Sequence, residues 1–172
     1  MKKPYKKIFG TVISASLLFI LIGCSQQTES SKKNEDLEAV EVVLQNALTG
    51  PTDELKELLE SKGVEGLTEY EEKLYKEHFD NDSSYMEFVN SYGSTLMIEP
   101  LRNGYQLKVK DINFEKTDSN ENIFNFTVEL EYQKEGSELP ETGIVEGQAD
   151  LNEEYKIENI MVNKNLWETF NE

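Results

Sequence analysis

The sequence predicts an α+β domain in which N-terminal helices pack on a curved antiparallel β-meander. Apolar residues recur at three- and four-residue steps from Leu37 to Tyr92, the spacing of helices with one buried face. After Gly93 the spacing drops to two, as in strands with one wet face. The helical half precedes the strand half and does not alternate with it, which separates this plan from a βαβ one.

The first helix is marked by Leu37, Val40, Leu44, Ala47 and Leu48, and Gly50-Pro51 ends it. Leu55, Leu58 and Leu59 mark a second, shorter helix that stops near Gly63. Thr68 with Glu71 has the spacing of a capping box, predicting that a third helix carrying Tyr70, Leu74 and Phe79 starts there. Ser84 with Glu87 has the same spacing and opens a fourth, with Tyr85, Phe88, Val89 and Tyr92, which Gly93 is expected to stop.

The strand half starts with Tyr105, Leu107 and Val109, and the apolar series resumes on the other parity at Ile112 and Phe114. A one-residue slip turns side chains to the wrong face, so a β-bulge is predicted near Lys110-Asp111. Residues 118–122 form a turn, and Phe124, Phe126, Val128, Leu130 and Tyr132 alternate cleanly with polar residues. Gly136 turns again, Val145, Gly147, Ala149 and Leu151 make a third strand, and Tyr155, Ile157, Ile160 and Val162 make a last one with another slip.

This order of elements, over residues 37–163, resembles the NTF2-like superfamily, cystatin-like in its broad fold. Gly147-Gln148-Ala149-Asp150-Leu151, followed by Tyr155-Lys156-Ile157, is similar to the late strand pair of small Firmicutes lipoproteins with that fold. The resemblance implies a cone whose pocket lies between the sheet's concave face and the helices. In enzymes of that fold, Asp, His or Tyr point into the cone.

The first residues carry an address. Met1-Lys2-Lys3-Pro4-Tyr5-Lys6-Lys7 is basic, residues 8–22 are uncharged and mostly apolar, and Gly23 precedes Cys24. That is the layout of an export signal. Leu21-Ile22-Gly23-Cys24 resembles the lipobox of bacterial lipoproteins, with Ile22 where a smaller residue is commoner. The resemblance implies cleavage before Cys24 and diacylglyceryl transfer to its sulfur. Two acyl chains anchor stably where one is marginal. An uncleaved anchor and a plain secreted protein are the competing readings; a spanning helix needs about 20 apolar residues, more than the uncharged run holds without Ser25, Gln26 and Gln27. Residues 1–23 are read as signal peptide, 24–36 as a flexible polar tether, and 37–172 as a single domain.

Charge narrows the partners. The chain carries 17 basic and 34 acidic residues, net −17; the leader holds four of the lysines and no acid, so a chain starting at Cys24 stands at −21. Nucleic-acid binding needs a basic footprint and is argued against. Self-avoidance near a negative envelope accounts for the charge, with a basic partner or divalent cations as alternatives. Cys24 is the only cysteine, so disulfides and Cys-based metal sites are not expected.

His78, the lone histidine, is catalytic only if it lies in the cone hydrogen-bonded to a carboxylate; otherwise it is a surface residue easing a helix C-terminus. Asp80-Asn81-Asp82 begins like a calcium loop, but the sixth and twelfth positions are Tyr85 and Ser91, so a turn and helix cap is expected. Glu129, Glu131, Glu146 and Asp150 fall on polar strand faces and read as solvated. Leu166, Trp167 and Phe170 suggest a short amphipathic helix that packs back on the domain or anchors a partner. Tyr70, Tyr75, Tyr85, Tyr92, Tyr105, Tyr132 and Tyr155 read as core and rim packing, with a Tyr-lined pocket as the rival. The expected function is a membrane-anchored, extracytoplasmic, non-catalytic binding domain that needs no cofactor. Its partner would be an envelope protein or a small ligand held in the cone, and an isomerase- or dehydratase-type enzyme is the third reading.

Overall fold

The structure is a computed structural model and describes residues 35–163. Helices come first, as the sequence predicts: α1 (Glu38–Ala47), α2 (Asp53–Lys62), α3 (Val64–Tyr75), α4 (Asp82–Phe88) and α5 (Ser94–Asn103). A 3-10 turn at Glu35–Leu37 leads into α1 and includes the last two residues expected of the tether, Glu35 and Asp36. Strands follow as β1 (Tyr105–Lys116), β2 (Asn122–Lys134), β3 (Glu141–Leu151) and β4 (Ile157–Val162). They form a curved, unclosed antiparallel meander in the order β1-β2-β3-β4. The α+β plan therefore holds.

In α1 the stripe Leu37, Val40, Leu44, Ala47 and Leu48 is buried, joined by Val43. Three helix boundaries differ from expectation. Gly63, with φ 61°, bends the chain so that α3 starts at once at Val64; Thr68 then lies inside the helix, its hydroxyl donating to the Val64 carbonyl at 3.2 Å. At α4 the cap is Asn81, not Ser84: its Oδ1 accepts from the Ser83 and Ser84 amides at 2.9 and 3.1 Å. Asn is as good a cap as Ser and stands where the helix begins.

Gly93 does not stop the fourth helix. The chain runs through a π-helical turn, Val89–Gly93, into α5. A Cβ on Gly93 would press on the Phe88 ring, so this glycine accommodates packing and does not end the helix. The break comes at Gly104, whose left-handed φ of 68° lets its amide cap the Leu101 carbonyl.

The meander matches the sequence closely. Phe124, Phe126, Val128, Leu130 and Tyr132 of β2 are all buried toward the helices. The β1–β2 register shifts between Val109 and Asp111, leaving Lys110 as the bulged residue. The second slip lies in β4, where Asp150 pairs with Asn159 but Leu151 pairs with Ile157, so Glu158 is the extra residue. Tyr155 is not in the strand; it sits exposed in the preceding turn with φ 59°.

Helix-side segments latch both sheet edges. Gly50 exchanges backbone bonds with Leu107 of β1 at 3.0 and 2.6 Å. Phe79 bridges Ile157 of β4, and the Asp80 amide donates to the Ile157 carbonyl at 2.9 Å. Tyr75, Phe79, Tyr85, Phe88 and Tyr92 form a chain of ring contacts, with centroids 5.2 to 6.3 Å apart, beneath the latch on β4. Such pairs contribute about 0.5–1.5 kcal/mol each beyond their burial.

Candidate functional site

Position 71 holds the one charged side chain buried in the described core, and the helices set its surroundings. Along α3 the inward stripe runs Leu67, Tyr70, Glu71, Leu74 and Tyr75. Glu71 is 3% exposed, and its Oε1 accepts a 2.6 Å hydrogen bond from the Ser94 hydroxyl. Burial raises its pKa, and the Ser94 bond opposes that rise. Ser94 is the first residue of α5, immediately after the π-helical turn. The bond therefore ties α3 to the point where the helical register changes; π-turns recur at functional sites.

Two tyrosines, Tyr75 and Tyr85, lie within electrostatic reach of this carboxyl. Tyr75 is buried without a hydrogen-bond partner for its hydroxyl. Burial raises its pKa well above the usual phenol range, with Glu71 adding to the rise. Burial and then Glu71 push Tyr85 up to about 12. Tyr70 shares a 2.7 Å hydrogen bond with Thr52, joining α3 to the cap of α2. The Tyr75 and Tyr85 hydroxyls therefore keep their protons at neutral pH and can donate hydrogen bonds. The sequence signal for the buried carboxyl was a glutamate on an apolar stripe, masked by the capping-box spacing of Thr68 and Glu71.

A separate surface cleft of about 330 Å³ is lined by Lys56, Leu101, Tyr105, Gln133, Lys134 and Ser137 among others. The Lys134 ammonium lies 5.3 Å from the centre of the Tyr105 ring, within cation–π range. A second void, beside Tyr70, Leu96 and Leu107, measures about 10 Å³, room for about one water at most. The cleft lies at the rim of the sheet, where β1 starts, and is not the interior cone pocket that the sequence suggested.

The other anticipated residues are dispersed. Cys24, Leu166, Trp167 and Phe170 lie outside the described residues. His78 is half-buried in a 3-10 turn directly after α3, and burial lowers its pKa. Its Nε2 is 3.7 Å from Glu77 Oε1, beyond hydrogen-bond reach, so the pair forms no dyad. Asp80 accepts from Asn152 at 2.7 Å and from Asn81 at 2.8 Å, and the 80–84 segment is a turn and cap as expected. Among the described residues no cluster of acidic or histidine side chains could hold a metal. Glu129 and Glu146 are exposed, Glu131 holds Lys110 at 3.3 Å, and Asp150 accepts from Asn159 at 3.3 Å. Tyr70, Tyr75, Tyr85, Tyr105 and Tyr132 are buried in the core.

No family model matches the chain, and no curated protein or solved structure matches it.

Proposed function

We propose that this chain is an extracytoplasmic lipoprotein whose folded domain is a non-catalytic binding module held to the membrane through Cys24. The observation that carries the reading is the order of segments: a basic and apolar leader, Leu21-Ile22-Gly23-Cys24, a polar spacer, and then a domain that starts its first turn at Glu35. Among the described residues no helix is long and apolar enough to cross a membrane. The helices-first plan and the curved meander support an NTF2-like cone.

The anchor is tested by feeding expressing cells a clickable palmitate. Wild-type protein should carry the label and stay with membranes, and protease added to intact cells should remove the domain. Label retained on a Cys24→Ala variant would refute the anchor. For the module, cross-linking in intact cells should join the wild-type protein to one dominant partner. A smear proportional to abundance would count against a specific module.

The rim cleft favours a second reading, binding of a small anion with an apolar body. Lys134 over Tyr105, with Lys56 on the same cleft, supports it. Thermal shifts from a panel of small carboxylates, abolished by Lys134→Glu, are the expected result.

A further inference from the structure

The two edges of the sheet differ in chemistry. β1 carries Lys108, Lys110 and Lys116, a bulge at Lys110, and Gly50 paired across Leu107. Bulges and lysines are devices that discourage a further strand from adding. The opposite side is built otherwise. β4 pairs with β3 only over Gly147–Leu151, and Asn163 extends the contact by donating its amide to the Glu146 carbonyl at 2.8 Å. Among the described residues nothing pairs with β3 from Glu141 to Ile144 on that side.

Antiparallel ladders alternate, so the bond at Glu146 sets which groups face outward. Thr142 and Ile144 share the parity of Glu146, and their backbone N–H and C=O groups point to that side, where no described residue pairs with them. Side chains there are exposed. Ile144 is 55% accessible, Leu139 just before the strand 75%, and Met161 on β4 45%. Two of the six exposed large apolar residues described, Leu139 and Ile144, thus lie at this stretch. Their setting is acidic. β3 and β4 carry Glu141, Glu146, Asp150 and Glu158 and no Lys or Arg, and exposed Glu129 pairs across from Ile144.

We propose that the Glu141–Ile144 edge of β3 docks an extended, lysine-rich segment of another envelope polypeptide, added as a further strand. Main-chain bonds to Thr142 and Ile144 supply the pairing. Apolar side chains of the segment cover Leu139 and Ile144, and its cations meet Glu129, Glu141 and Glu146. This rests on the binding-module reading and names its surface.

The test uses full-length protein in neutral detergent micelles and a fluorescent ten-residue peptide of alternating Lys and Val, with empty micelles subtracted. Two comparison peptides replace every Lys by Glu, or replace two Val by Pro to remove backbone donors at equal charge. The Lys–Val peptide should bind, with both comparison peptides at least tenfold weaker. Ile144→Pro, which removes one outward N–H, and Glu129→Lys with Glu146→Lys should each weaken it at least tenfold. If Ile144→Pro loses its native circular dichroism, Ile144→Lys replaces it, with the same loss expected. Equal binding of the Pro-bearing peptide would mean charge alone acts and would overturn the proposal. So would unchanged affinity in the edge variants, binding seen only after residues 164–172 are removed, or a dimer of this chain that excludes the peptide. If the probe fails while cross-linking in cells still captures one partner with Ile144→Pro, the module stands and this edge is not its surface.

Discussion

Burying a carboxyl among aromatic rings makes Glu71 a term in the stability of the whole domain. Its pKa is raised in the fold above the ordinary 4.5, so the stability linked to it is fully present below that value and is lost as pH rises through the folded value. Glu71→Gln keeps an acceptor for Ser94 and removes the ionisation. It should melt higher than wild type at pH 7 and converge with it near pH 4, checked by thermal melts across that range. Ser94→Ala removes the one bond that favours the charged form, so the carboxyl midpoint should move further up, read by NMR of the Glu71 carboxyl carbon. Gly147 shows a different constraint: a Cβ there would collide with the Phe126 ring and the Met161 carbonyl. Gly147→Ala should cost about 1–3 kcal/mol in denaturant unfolding, the range for overpacking a core.

Helix ends and strand slips show what a sequence reveals about elements. Both register slips were legible, because a shift in apolar parity has one economical explanation, an extra residue. The burial of β2 was legible for the same reason: Phe124 to Tyr132 alternate without a break. Helix starts were less so. Thr68 and Glu71 have capping-box spacing, yet Gly63 reverses the chain earlier, and the spacing instead set a carboxyl on the inner stripe. Gly93 read as a stop because glycine ends many helices; what decides its role is the Phe88 ring against it, a tertiary fact. α5 was missed for that reason, although Leu96, Met97 and Pro100 give it a buried face. The Glu71 centre escaped with it, since Ser94 lies on the missed helix. Asn81 gives a direct test of the revised α4 start: Asn81→Ala should cost about 1 kcal/mol in urea unfolding, and Ser84→Ala much less.

Charge governs the molecule as a whole. At net −17 the folded chain repels itself, and added salt screens that repulsion over about 10 Å at 0.1 M. The melting temperature should therefore rise between 10 and 300 mM sodium chloride, in differential scanning calorimetry. A fall would mean that local ion pairs such as Lys62–Glu69 and Lys73–Glu54 outweigh the global repulsion. The membrane address we propose was read from Cys24 and its flanks; the proposed docking edge could not be read that way, because a strand edge exists only once neighbouring strands have taken their places.

The latch on β4 sets an order of events during synthesis. Asp80 meets Asn152, and the Glu77 carbonyl meets Lys156, across 72 and 79 residues. Every helix leaves the ribosome before the strand that covers Phe79 exists. Until residues 152–157 arrive, the aromatic chain from Tyr75 to Tyr92 has no roof, and the helices cannot reach their final arrangement. Completion of the fold thereby waits for residues 152–157, and a nascent polypeptide that lacks them stays loose.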